Sequence, residues 1–419
     1  MQVFKFGGAS VKNAQAVKNV AEILKNHGSG RLIIVVSAMD KTTNALEVII
    51  KSWQQRNEAL FSETLEELAA KHYAIIDDLF GMKSEGIRSK IEGIIAEING
   101  KFQKNFSDNF DYEYDQIVSL GEVISTKIIT AYLQECGFDA VWSDARKLVR
   151  TDRTFRNGNV DWEATERLIR NYVNDHPNNI IVTQGFVGHT PEYFTTTLGR
   201  EGSDYTAAIF AFCTDAEKVT IWKDVPGMLN ADPKYFRNTV KLDQISFKEA
   251  IELAYYGASV IHPKTIKPLQ NKSIPLYVKS FLNPGAEGTI IQENTENDNK
   301  IPSYIFKKNQ LLISVMPTDF SFIAESSLQK IFRCLTEENV TINLMQNSAV
   351  SFSFLADAEK IQLEKLIAAL SREFKVRYNE NLELVTIRHY NEEIIKEITG
   401  GKQQLMSQTD RQTIRLVLK

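Results

Sequence analysis

The sequence predicts an α/β protein whose larger part is a mainly parallel sheet covered by helices, followed by smaller ferredoxin-like split-βαβ units. Three observations carry this. Short β-branched apolar runs each lead into a segment of helical period. A polar stretch without hydrophobic period, Gln292–Pro302 (QENTENDNKIP), then breaks the chain. Beyond it, strand and helix patterns recur as a βαββαβ unit and an incomplete second copy.

The elements follow in order. Val3–Phe6 leads into a helix over Ala14–Lys25, where Val17, Val20, Ala21 and Leu24 fall on one face. Leu32–Val36 leads to a helix around Leu46–Trp53. From about 55 to 135, the segments Ala59–Leu79, Glu85–Phe106 and Asp115–Leu133 read as a helical insertion beside the sheet. Ile180–Val182 opens onto a long Gly- and Thr-rich loop and a helix from Ser203; Val219–Trp222 and Leu276–Ser280 are further strands. Such alternation of short buried strands with helices belongs to parallel sheets covered on both faces. After the linker come strand Leu311–Met316, helix Glu325–Glu338, strands Thr341–Gln346 and Val350–Ala356, helix Ala358–Phe374 and strand Val376–Asn379. The shorter set is strand Leu382–His389, helix Asn391–Thr399, and strands Gln404–Ser407 and Thr413–Leu418. The expected domains are 1–292, 303–380 and a truncated 381–419, in keeping with the two or three that 419 residues suggest. Small half-open sheets need an edge covered, so pairing between copies or chains is expected.

Composition narrows the function. With 49 basic and 53 acidic side chains the net charge is −4, so there is no cationic excess for a nucleic-acid partner. The longest aliphatic run, Leu32–Val36, is far short of the roughly 20 residues of a membrane helix, and no membrane role is expected. The strand pattern from Val3 predicts no signal peptide. Cys136, Cys213 and Cys334 are odd in number and far apart, which suits a reducing cytoplasm. The six histidines show no metal-ligand spacing, so no metal site is expected, and His262 before Pro263 reads as a packed structural residue.

Chemistry gathers where strands end. Lys5-Phe6-Gly7-Gly8-Ala9-Ser10 closes the first strand, where adjacent glycines let backbone amides approach an anion. Alone, this motif also fits a plain turn beside a surface lysine. Ser37, Thr42, Thr43 and Asn44 follow the second strand and could orient a polar substrate or simply cap a helix. Thr183–Ala208 is the most informative stretch. It has four glycines, three consecutive threonines, Arg200 suited to a carboxylate, and Ser203-Asp204 at a helix start suited to an anion. Asp204 fits either a helix-dipole partner or an acid that orients Lys5 or a nucleotide-bound magnesium. Lys223 and Lys234 could contact phosphates, and Asp224 could accept from a ribose or adenine.

Read together, KFGGASV at 5–11, VVSAMDKTTN at 35–44, SLGEVIST at 119–126, TTLGREGSDYTAA at 196–208, WKDVPG at 222–227 and GASVIHP at 257–263 resemble aspartate kinase in order and spacing. The chain end is similar to the paired ACT regulatory domains of that family. The resemblance implies the amino-acid kinase (carbamate kinase-like) αβα sandwich and transfer of the ATP γ-phosphoryl group to the β-carboxylate of L-aspartate. It implies Lys5 as catalytic lysine, Asp204 as the acid organising Lys5 and the Mg2+-nucleotide, and Gly7, Gly8 and Ser10 as the phosphate cradle. It implies an aspartate site of Ser37, Thr43, Glu122, Arg200 and Ser203, with Arg200 on the α-carboxylate and Glu122 near the ammonium. Lys223, Asp224, Leu229, Lys234 and Ser259 fall at nucleotide positions. It also implies a dimer paired through the ACT domains.

Three residues depart from that pattern. Leu229 stands where many relatives carry an aromatic residue, Ser259 where many carry a phosphate-binding lysine, and Glu201 where a glycine is usual. Lys264 is the candidate to replace the lysine lost at 259. In the first ACT unit Asn343, with Ser348 and Val350, falls where lysine-inhibited relatives bind their effector through an aspartate. A neutral amide holds a second ammonium poorly, which favours threonine, or no effector, over lysine. Two other functions remain open: a kinase of another carboxylate such as glutamate, and an amino-acid sensor with a decayed kinase half.

Overall fold

Gln2–Phe6 is a fully buried strand (β1) in the computed structural model, which describes residues 1–419 apart from 178, 179, 237, 259, 260 and 320. The chain forms two compact units. One comprises 1–229, 241–255 and 259–298; the other comprises 230–240, 256–258 and 299–419.

In the first unit β1 is followed by α1 (Ala14–His27), β2 (Leu32–Val36), α2 (Thr42–Gln54), α3 (Glu58–Phe80), α4 (Glu85–Phe102) and α5 (Phe110–Glu135). Then come β3 (Ala140–Ser143), α6 (Trp162–Asp175), β4 (Ile180–Gln184), β5 (Val187–His189), β6 (Thr195–Thr197), α7 (Gly202–Cys213), β7 (Lys218–Lys223) and β8 (Gln244–Ser246). The unit closes with α8 (Phe247–Tyr256), α9 (Pro263–Asn271), β9 (Leu276–Ser280) and β10 (Thr289–Gln292), although the end of α8 falls in the second unit. The main sheet runs β3-β4-β2-β1-β7-β9-β10-β8, and only the β9–β10 pair is antiparallel. The carboxyl ends of β1, β2, β4 and β7 therefore reach one rim, with Lys5 level with Val35 and Ile221.

The helical insertion joins the core. Ile49, Trp53, Phe61, Leu65, Ile76, Ile91, Ile98, Ile117, Ile124 and Ile128 pack in one cluster with Phe4, Phe6, Ile34 and Val36. Helix α5 begins at Phe110, earlier than its apolar period, because the Asn109 side chain accepts from the Tyr112 amide and caps it. The Gly-rich loop contains an antiparallel hairpin, β5–β6. Helices α8 and α9 follow one another with no strand between them among the described residues. Pro263 occupies the first turn of α9, and the His262 ring accepts from the Lys264 amide as its cap.

The second unit holds β11 (Ser303–Pro317), α10 (Glu325–Glu337), β12 (Ile342–Asn347), β13 (Phe352–Asp357), α11 (Leu363–Leu370), β14 (Phe374–Arg388), α12 (Glu392–Thr399), β15 (Gln404–Thr409) and β16 (Thr413–Leu418). These strands make one antiparallel sheet, β12-β13-β11-β14-β16-β15. The two copies pair with each other, as small half-open sheets require. The segment from 381 onward does not form a sheet of its own, because Ser303–Lys307 pairs with Leu384–Arg388 and β11 and β14 run through both ferredoxin-like halves. Asn309 and Asn381 lie at φ +55° and +57° where the register shifts, so each long strand bends and reads as two short ones. Tyr304 and Phe306 pack with Val385, Ile387, Ile394, Ile395 and Ile398 of α12 and its strand. Their apolar signal is hidden between a polar linker and Lys307-Lys308-Asn309.

Candidate active site

Where β1 ends, the chain turns at Gly7-Gly8 and passes close under the segment leaving β2. The Asp40 amide donates to the Gly8 carbonyl at 3.0 Å. A Cβ on Gly8 would lie 2.7 Å from the Ala38 carbonyl oxygen and 3.1 Å from that of Asp40. Both obstacles are backbone, so only glycine fits. Gly8→Ala is expected to cost about 1–3 kcal/mol of stability, as thermal melts would record. Ser10 turns inward, and its hydroxyl donates to the Trp222 carbonyl at 3.3 Å, tying this turn to β7.

The first turn of α7 brings a carboxylate to the same rim. Asp204 is 2% exposed; its Oδ1 lies 2.6 Å from Lys5 Nζ and its Oδ2 3.1 Å from Lys223 Nζ. The Oδ1 contact is an ion pair without the alignment of a hydrogen bond. Lys5 and Lys223 point the same way because Lys5 pairs in register with Ile221 and strand side chains alternate. Burial works to raise the Asp204 pKa, and the two ammonium groups outweigh it, leaving the carboxyl below its ordinary value. Two cations on one buried carboxylate leave a net positive charge facing the cavity.

That cavity, of about 530 Å³, gathers Lys5, Gly8, Ser37, Thr43, Glu122, Arg200, Ser203, Asp204 and Lys223. The lysine and the arginine singled out in the sequence thus face one space. Glu122 projects from α5, 2% exposed, with Oε2 unpartnered. Burial pushes its pKa up to about 8, against the pull of the Glu122 and Ala38 amides. A buried carboxyl with one oxygen unpartnered, and no cation beside it among the described residues, suits a ligand that brings one. Glu201, beside Arg200, sits at φ +54°, the left-handed conformation that explains why glycine suits this position.

Some wall residues escaped sequence reasoning. Tyr114 and Arg156 also line the cavity, beside Thr197 of the threonine run noted in the sequence. Behind them the buried Asp115 accepts from the Arg156 amide (2.9 Å), the Thr197 amide (2.9 Å) and the Thr197 hydroxyl (2.7 Å), while burial raises its pKa to about 6. A carboxylate inside a helical pattern and an arginine in an aperiodic loop give no sequence signal of this kind.

Other expected residues lie elsewhere. Gly7 and Ser10 are beside the cavity rather than on its wall, and Asp224 is exposed. Leu229 is half-buried in a bridge to Lys241, and Lys234 is exposed in the second unit. Ser259 falls outside the described residues. Lys264, the candidate replacement cation, instead gives its ammonium to Asn157 Oδ1. In the second unit, Asn343 Oδ1 accepts from Lys307 Nζ at 2.8 Å, and its Nδ2 donates to Gln310 Oε1 and Asp357 Oδ1, both at 2.8 Å. Ser348 lines a separate cavity of about 430 Å³ with Gln346, Ser351, Ser353 and Gln404–Ser407, which Asn343 and the 40% exposed Val350 do not reach.

Comparison with known proteins agrees with this architecture. Residues 1–280 match the profile of the Amino acid kinase family. The chain is 31% identical over 393 residues to lysine-sensitive aspartokinase 3 of Escherichia coli, covering 92% of this chain and 86% of that protein. It is 30% identical over 394 residues to bifunctional aspartokinase/homoserine dehydrogenase 2 of Arabidopsis thaliana, covering 91% of this chain but only 42% of that longer protein. The crystal structure of E. coli aspartokinase III in complex with aspartate and ADP superposes with a TM-score of 0.82 at 28% identity, over 100% of this chain and 96% of that one. By the extent and continuity of these matches, the chain belongs to the amino acid kinase family and, within it, to the aspartokinases.

Proposed function

We propose that this chain is an aspartate kinase that transfers the γ-phosphoryl group of MgATP to the β-carboxylate of L-aspartate. The product is 4-phospho-L-aspartate, the first step towards lysine, threonine and methionine. The observation that carries this reading is the shared cavity, whose wall includes the Lys5–Asp204–Lys223 cluster together with Arg200 and Glu122. Arg200 takes the acceptor's α-carboxylate and Glu122 its ammonium, which leaves the β-carboxylate turned towards Lys5. That carboxylate has a pKa of about 4 and is already ionised, so no general base is needed. The task is to bring two anions together against a repulsion of about 4 kcal/mol at contact and intermediate dielectric. Lys5, Lys223 and the amides at Gly8 and the start of α7 offset it. Magnesium, when bound, neutralises phosphate charge. The residues fit an ion that arrives on the nucleotide, since Asp204 and Asp40 both line the cavity that Lys5 and Lys223 share.

The test is a hydroxamate assay. Purified chain with MgATP, L-aspartate and hydroxylamine should yield aspartyl hydroxamate. Hydroxamate from glutamate and none from aspartate would move the acceptor to another carboxylate, and no product with any amino acid would make the chain a sensor.

Regulation belongs to the same reading. The edge strands β12 and β15 have one neighbour each, which supports a homodimer joined through these sheets. Asn343 offers a neutral amide, already bonded to Lys307, Gln310 and Asp357, where a carboxylate would be needed to pair a second ammonium, and this supports threonine over lysine as effector. Free Cys136, Cys213 and Cys334 agree with a cytoplasmic setting. Threonine added to the assay should lower the rate more than equal lysine; the reverse order would return the effector site to a lysine type.

A further inference from the structure

Arg156 marks a strained point on the cavity wall. Its φ is +64°, in the left-handed region that residues with a Cβ avoid. The conformation is imposed from behind. The Arg156 amide is held by buried Asp115, and the same carboxylate holds the amide and hydroxyl of Thr197 in β6. This tether sets the loop against the segment carrying Arg200, since a Cβ on Gly199 would lie 3.3 Å from the Arg156 carbonyl oxygen. Glycine would be the comfortable occupant of position 156, yet an arginine stands there with its side chain on the cavity wall. Strain kept beside a binding cavity points to a use for the side chain that causes it.

The guanidinium is only lightly held. It lies 4.4 Å above the Tyr114 ring and 3.3 Å from Asp111, and these two ion-pair side chains are 47% and 55% exposed. An ion pair so open to water contributes little and exchanges readily for a better one. Lys5 and Lys223, by contrast, are tied to Asp204.

We infer that Arg156 is the second guanidinium of the acceptor site, leaving Asp111 to hold the acceptor's α-carboxylate together with Arg200. Two planar donor forks on one carboxylate give both charge and orientation. They select acceptors that carry an α-carboxylate beside the reacting one. The inference rests on aspartate being the acceptor.

The experiment compares wild type with Arg156→Gly, which relieves the backbone, and Arg156→Lys, which restores charge. Melting curves confirm that the variants fold. Arg156→Gly should raise the KM for L-aspartate about tenfold or more, with the KM for ATP unchanged within about twofold, and lysine should recover part of the loss. The α-amide of L-aspartate, which keeps the β-carboxylate and ammonium, should inhibit wild type and Arg156→Gly with equal constants. An unchanged aspartate KM overturns the inference. So does an equal loss for aspartate, ATP and the α-amide, which would make Arg156 a wall element only. Failure of wild type to phosphorylate aspartate would defeat the acceptor reading instead, so the two failures are distinct.

Discussion

Lys5→Ala should lower kcat by about 10³-fold, with the melting temperature changed by only a few degrees. In the proposed reading the rate falls because Lys5, a cation at the Gly7-Gly8 turn with its side chain only 8% exposed, stabilises the charge of the transferring phosphoryl group. The fold survives because Asp204 keeps Lys223 as a counterion at 3.1 Å and the space left opens onto a cavity water can enter. Lys5→Arg distinguishes charge from geometry. The guanidinium restores the charge at the end of a longer, planar group, so it should recover less than about a tenth of the rate. Single-turnover measurements place the loss in the chemical step. A Lys5→Ala enzyme with near-normal single-turnover rates would remove Lys5 from the mechanism.

Much of this site was legible because parallel α/β folds put ligand-binding turns at strand ends. The apolar runs at Val3–Phe6, Leu32–Val36 and Val219–Trp222 locate the rim, and the glycines and charges following them locate its chemistry. What escaped depends on contacts distant in sequence. Asp115 touches residues 41 and 82 positions away, and nothing in SLGEVIST or its flank reveals that its carboxylate ties two walls together. The weak strands β3, β8 and β10 have only three or four residues each, too few for a period to show. The two-part strands β11 and β14 were misread for a different reason: an asparagine in the left-handed region resembles a turn whether the chain reverses there or only bends. The contact of the Lys264 ammonium with Asn157, a neighbour 107 positions away, is likewise one that no local pattern shows.

Glu122→Gln should separate binding from stability in opposite directions. With burial raising its pKa to about 8, the carboxyl holds its proton about nine-tenths of the time at pH 7. In the proposed reading the acceptor's ammonium lies against Glu122 and favours its ionised form, so binding must release that proton. Wild-type affinity for aspartate should therefore rise up to about tenfold per pH unit from pH 6 to 8 and then level, with proton release measurable by calorimetry in buffers of different ionisation heat. The glutamine variant should lose this dependence and bind aspartate about a hundredfold more weakly at pH 8, the scale of a buried charged pair lost. Stability has the other sign. The folded pKa lies above the unfolded value of 4.5, so the folded protein holds a proton that the unfolded chain has released. Its stability is whole below pH 4.5 and declines as pH rises towards 8, by at most about 1.4 kcal/mol per unit. Glutamine has no proton to lose. The melting temperature of Glu122→Gln should exceed that of wild type by a margin that widens from pH 5 to 8 and then holds steady. A margin that stays constant across that range would mean that Glu122 is ionised throughout and does not wait, protonated, for the ammonium of its substrate.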